Sequence, residues 1–162
     1  VIPKADGLSF GPKLTNMDFL SLFKPTSNSG HTLAEMMRPN GLVFSPDERL
    51  LYVSDTSAFE DPDLYHDIRV YDVEGRKVTN GQTFAVIDPG QPDGMCVDLQ
   101  GNLFSSSKDG IQVYSPEGRY LGKMPVPEVC ANLTLGGVQR DRLFIAAGAS
   151  LYAIDLKTQG VR

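Results

Sequence analysis

The stretch Arg38-Pro39-Asn40-Gly41-Leu42-Val43-Phe44-Ser45-Pro46-Asp47 sets a polar side chain, Asn40, at the mouth of an apolar strand that runs into a Pro-Asp turn. Much the same text returns at Gln91-Pro92-Asp93-Gly94-Met95-Cys96-Val97-Asp98, and more loosely at Cys130-Ala131-Asn132-Leu133-Thr134-Leu135-Gly136-Gly137. The repeat brings an oxygen-bearing side chain to the same place in each unit. The fold follows from what lies between these stretches.

In the first unit, Gly41 to Ser45 reads as a strand, Pro46-Asp47-Glu48-Arg49 as a turn, and Leu50 to Asp55 as a second strand. Proline pre-sets the backbone dihedral of that turn and aspartate favours the bend. A polar loop, Thr56 to His66, leads to a third strand from Asp67 to Val73, where Ile68 and Val70 alternate with Arg69 and Tyr71. Gln82 to Ile87 is the expected fourth strand. The second unit repeats the order with strands at Gly94–Asp98, Leu103–Ser106, Ile111–Ser115 and Tyr120–Val126. The third has Asn132–Leu135, Leu143–Ala147 and Ser150–Leu156, and stops a strand short. Before residue 38 the chain is harder to read: Phe19-Leu20-Ser21-Leu22-Phe23 suggests a strand, and Thr32 to Met36 an outer strand, with a short amphipathic helix over Leu33 to Met37 as the alternative.

Tandem antiparallel four-stranded units predict an all-β fold, a β-propeller of about three to three and a half blades. The expected domain is a single partial propeller over 1–162, with a divergent start and blade tail at 1–37 and successive blades at 38–90, 91–129 and 130–162. Innermost strands ring the axis, so Asn40, Asp93 and Asn132 are expected to face one channel mouth together. A sandwich of short strands is the runner-up, but it leaves the recurring polar residue unexplained.

Composition supports a soluble globular chain: 41% hydrophobic, 22% charged, with 16 Gly and 11 Pro scattered as turns. The net charge of −5, with no basic stripe, argues against a nucleic-acid partner. No apolar run approaches a membrane span, and no signal peptide is visible. The expectation is a soluble protein, cytoplasmic rather than secreted. The absence of an initiator Met suggests a processed, trimmed or partial chain. Cys96 and Cys130 fall in apolar contexts and read as buried reduced thiols. His31 and His66 lie in polar loops without ligand spacing and read as surface residues. No Ser-His-Asp arrangement with supporting motif, phosphate-binding Gly loop or Cys/His cluster is present.

The ordered set of motifs resembles the SMP-30/gluconolactonase, or regucalcin-like, family. The matching text runs from Arg38-Pro39-Asn40-Gly41 through Leu51-Tyr52-Val53-Ser54-Asp55, Ile68-Arg69-Val70-Tyr71-Asp72, Gln91-Pro92-Asp93-Gly94 and Asp109-Gly110-Ile111-Gln112-Val113-Tyr114 to Ala131-Asn132-Leu133. The resemblance implies a six-bladed propeller that holds one divalent cation at the channel mouth and hydrolyses lactones. It implies calcium by default, with zinc, magnesium or manganese as alternatives. By motif, Asn40 and Asp93 would be metal ligands, and Asp93 a candidate base or nucleophile. An amide oxygen and a carboxylate suit a hard cation. Two further ligands of the family, a Glu near the chain start and another Asn, find no match: Glu35, Glu60 and Asn16 lack the surrounding motif. The resemblance therefore places this chain as the C-terminal half.

Each site residue also has a plainer reading. Asn40 and Asp93 precede Gly, a common turn pair. Asn132 precedes an apolar strand and would line the substrate pocket or bond at a strand end. Ser106 and Lys108 sit on a loop that either reaches the mouth or, on the favoured reading, is solvated; Asp55 either approaches the pocket or, on the favoured reading, caps the loop that follows it. The leading function is a metal-dependent sugar-lactone hydrolase or half of one, acting on a small-molecule lactone; the alternative is a non-catalytic propeller fragment or scaffold. Open blade edges predict closure by a second copy or by a missing N-terminal half.

Overall fold

Short apolar strands separated by Gly, Pro and Asp turns form successive antiparallel sheets. The computed structural model describes residues 36–59, 61, 63–75 and 77–161, all within one compact unit, Ala34–Arg162. The elements expected before residue 36 lie outside the described residues. The first sheet has the order β1 (Pro39–Phe44), β2 (Leu50–Asp55), β3 (Asp67–Glu74), β4 (Lys77–Val86). The second is β5 (Met95–Val97), β6 (Leu103–Ser107), β7 (Gly110–Tyr114), β8 (Tyr120–Pro125). The third has three strands, β9 (Cys130–Gly136), β10 (Arg142–Ala147) and β11 (Ser150–Asp155). Each sheet is an up-and-down meander, a propeller blade, and β5 touches both β1 and β9.

The hairpin turns have local causes. Between β1 and β2, Ser45 Oγ donates to Asp47 Oδ1 at 2.7 Å and accepts from the Leu50 amide at 2.9 Å. Between β7 and β8 the same chemistry recurs, with Ser115 Oγ on Glu117 Oε2 at 2.7 Å. These bonds hold the Asp47 and Glu117 carboxyls below the usual carboxylate range. One strand departs from expectation. β4 begins at Lys77, not Gln82, because Asn80-Gly81 is not a turn. Asn80, at φ 55°, sits in an irregularity of the β3–β4 ladder and donates to Asp72 Oδ2 at 2.7 Å. Gly81 is needed there because a Cβ would lie 2.4 Å from the Tyr71 ring.

The core consists of two seams between blades. The first joins Tyr52, Ile68, Val70, Ala85 and Ile87 to Met95, Val97, Leu103 and Tyr114. Tyr52 meets Phe84 edge-on at 4.8 Å, and Phe84 meets Tyr114 at 6.3 Å. The second joins Cys96, Phe104, Ile111 and Val126 to Cys130, Leu133, Leu143, Ile145 and Ala147. The middle blade is covered on both faces, so β5 and β6 are buried without alternation. Each fully buried aliphatic side chain contributes about 1.5–3 kcal/mol. Both cysteines are buried free thiols, as expected, and burial pushes the Cys96 thiol up to about 12.

At the end opposite the Asn40 mouth, residues 158–160 clasp the middle blade. Asp98 bridges to Gly160, and Leu99 N donates to Gln159 O at 2.8 Å. The buried Asp98 carboxylate accepts from the amides of Gln100 and Asn102, the Asn102 side chain and the Thr158 hydroxyl.

Candidate functional site

Asn40 lies in β1 of the first blade and Asp93 just ahead of β5 in the second. They are 53 residues apart, yet Asn40 Nδ2 donates to Asp93 Oδ1 at 2.7 Å. Asn40 is exposed and Asp93 half-buried. Burial raises the Asp93 carboxyl above its ordinary value. Among the described residues, no Lys or Arg forms an ion pair with it. A partly desolvated carboxylate without a cationic side chain, next to a carboxamide, is an oxygen donor set that fits a hard divalent cation. The pair stands by itself: among the described residues, no group of three or more His, Cys, Asp and Glu converges.

The glycines after these residues have a purpose other than turning the chain. Neither Gly41 nor Gly94 has a left-handed backbone. A Cβ on Gly41 would lie 2.1 Å from Asp93 O. A Cβ on Gly94 would lie 2.3 Å from Asn132 Oδ1 and 2.6 Å from its Cα. Glycine therefore lets each innermost segment approach the next at the mouth.

The structure brings Asn132 to this place through Gly94, whose amide donates to Ala131 O at 2.8 Å. Its register is offset from that of Asp93. Leu133 pairs with Ile145 as Met95 pairs with Ser105, so Asn132 stands where Gly94 does and Ala131 where Asp93 does. The Asn132 side chain is exposed, and its Oδ1 accepts from the Leu133 amide at 2.8 Å.

Two serines hold the Asp93 backbone: Ser54, which the sequence did not single out, and Ser106. Ser54, at the end of β2, accepts from Gly41 N at 2.7 Å and donates to Asp93 O at 2.9 Å. Ser106 accepts from Asp93 N at 3.0 Å. Both are 0% exposed, which corrects the reading of Ser106 as part of a solvated loop; Lys108 is the exposed residue there. The available signal was a hydroxyl near the end of the second strand in the first two blades, level with the glycine of the motif. Asp55 caps its loop as expected: its carboxylate accepts from the amides of Met37 at 3.0 Å and Ser57 at 2.9 Å, and from the Ser57 hydroxyl.

Comparison with known proteins agrees with this architecture. A family model described as the SMP-30/gluconolactonase/LRE-like region matches residues 14–149. A gluconolactonase of Zymomonas mobilis is 30% identical over 164 residues, covering 91% of this chain and 43% of that protein. The solved structure of a Xanthomonas campestris gluconolactonase superposes with a TM-score of 0.65 at 38% identity, covering 73% of this chain and 37% of that one. A calcium-binding regucalcin of Agrobacterium tumefaciens shares the fold, with a TM-score of 0.66 at 16% identity over 77% of this chain and 48% of that one. The chain spans less than half the length of these relatives.

Proposed function

Because the chain belongs to the SMP-30/gluconolactonase/LRE-like family, we propose that it carries the Asn40–Asp93 part of a divalent-cation site in a sugar-lactone hydrolase. The observation behind this reading is the 2.7 Å contact between Asn40 and Asp93, carried on different blades. The similarity to a gluconolactonase supports a gluconolactone-like substrate. The Asn40 and Asp93 side-chain oxygens would hold the cation, calcium by family default, and when bound it supplies Lewis-acid polarisation of the lactone carbonyl. The remaining donors come from a second copy of the chain or from an N-terminal half.

The residues of this chain perform the rest. The Asn40 carboxamide offers Oδ1 as a neutral donor, while Nδ2 holds the Asp93 carboxylate in place. The Asp93 carboxylate is the base that takes a proton from the attacking water. The water oxygen bonds to the carbonyl carbon as its proton passes to Asp93; the ring C–O bond then breaks and the ring oxygen takes that proton from Asp93, leaving a hydroxy acid and a regenerated carboxylate. Asn132, beside Gly94, lines the pocket and bonds to substrate hydroxyls.

Asp93→Ala in the assembled propeller should abolish calcium-dependent lactone hydrolysis; full activity in that variant sinks the assignment. Calcium titration calorimetry separates this reading from a non-catalytic scaffold, since the hydrolase requires one tight site.

A further inference from the structure

We infer that Ser54 and Ser106 are positioning residues that clamp Asp93 from two blades and set its gap to Asn40. The inference rests on the cation-site reading for its effect on binding, though not for the clamp itself. Asp93 is held at both ends of its own backbone. Ser106, from the same blade, takes the amide at 3.0 Å, and Ser54, from the preceding blade, takes the carbonyl at 2.9 Å. Ser54 also accepts from the Gly41 amide at 2.7 Å. One hydroxyl therefore ties the residue after Asn40 to Asp93 itself. The two bonds differ in what they fix: Ser106 seats Asp93 on its own sheet, and Ser54 sets that sheet against its neighbour.

The third blade shows that the device is not a general feature of the fold. There Ala146 pairs with Asn132 at the position that Ser106 holds opposite Gly94. A methyl group serves where no candidate ligand needs holding, since Ala131 takes the place of Asp93. Among the described residues, the hydroxyls at 0% exposure are Ser54, Ser105 and Ser106, on the two strands that reach Asp93, and Ser54 and Ser106 are the pair bonded to its backbone. Such supporting bonds affect ligand geometry through a residue that itself touches the ion.

The test uses the full chain with calcium chloride as probe. Ser54→Ala and Ser106→Ala are compared with Ser107→Ala, a buried neighbour whose hydroxyl bonds to Gly110 O at 2.9 Å and not to Asp93. Three quantities are read: the calcium Kd, the Tm, and the NMR signals of the Asn40 side-chain amide. All three variants should lower Tm. Only Ser54→Ala and Ser106→Ala should weaken calcium about ten-fold or more and shift the Asn40 amide signals. If both leave Kd and the Asn40 signals as Ser107→Ala does, the serines are ordinary structural hydrogen bonds and the inference is overturned. If the wild-type chain binds no calcium, the cation-site reading fails, and the Asn40 signals alone decide: shifted, the clamp stands; unshifted, it falls.

Discussion

Replacing Gly41 with Ala adds one methyl group at the point where two blades come closest. Its Cβ would sit 2.1 Å from Asp93 O and 3.1 Å from Ser54 Oγ, and real Cβ atoms essentially never come within 3.0 Å of such neighbours. The oxygen belongs to backbone held by Ser54, so it cannot swing aside as a side-chain tip would. β1 has to withdraw from the residue-93 segment. Overpacking of this kind costs about 1–3 kcal/mol, and each Ser54 hydrogen bond stretched by the withdrawal adds about 1 kcal/mol. A total of about 3 kcal/mol should lower Tm by roughly 10 °C and break the 2.7 Å Asn40–Asp93 contact. Thermal melts followed by circular dichroism, with calcium titration on the same samples, measure both effects. Gly75→Asn is the control: its φ is +60° and a Cβ there meets nothing within 4 Å, so asparagine should cost little. A Gly41→Ala protein that melts with the wild type and binds calcium equally would refute the claim that glycine is there for close approach.

Further outcomes follow from other parts of the structure. Gly94→Ala should displace Asn132, because its Cβ would fall on the Asn132 Cα and side chain; the expected result is a raised KM for lactone together with a lower Tm. Asp98→Ala removes an acceptor shared by two amides and two side chains. It should cost about 3 kcal/mol and speed proteolysis of the 157–161 tail in a limited-digestion assay. Burial raises the Cys96 thiol from 9.0 to about 12, so between those values the folded state binds more protons than the unfolded one. Its contribution to stability is intact below pH 9.0 and falls as pH rises towards about 12, by up to roughly 1.4 kcal/mol per pH unit. The raised Tyr114 phenol adds in the same direction. Urea melts across that range test the sign; stability that rises with pH there contradicts it.

Sequence reading recovered the blades because Pro-Asp, Asp-Gly and Glu-Gly turns lie between short apolar runs, and a hairpin is a local event. It failed where a local signal was overruled by packing. The fourth strand was expected from Gln82, yet it begins at Lys77 and Asn80-Gly81 is a kink inside it, with glycine present to accommodate the Tyr71 ring. Ser106 beside Lys108 reads as solvated because both are polar, but the middle blade has a neighbour on each face and β6 lies wholly inside. The meeting of Asn40 and Asp93 was legible from recurrence of the motif alone. What the glycines contribute was not, because Asn-Gly and Asp-Gly are such common turn pairs that close approach between strands has no separate signature. The one-residue offset of Asn132 is likewise set by the β9–β10 register, which no single strand encodes.

Asn40 and Asp93 stand on separate sheets, so the distance between them belongs to neither sheet but to the seam. That seam is filled well away from the mouth, by Tyr52, Ile68 and Ile87 against Val97, Leu103 and Tyr114. Interiors this dense pass a change of one methylene on to their surroundings as displacement. A conservative swap at Ile87 or Val97, neither of which hydrogen-bonds to Asn40 or Asp93 through its side chain, therefore works as an adjusting screw on a pair of calipers. Tuning of the Asn40–Asp93 gap, in nature or by directed evolution, can draw on aliphatic residues of the interior as well as on the polar rim.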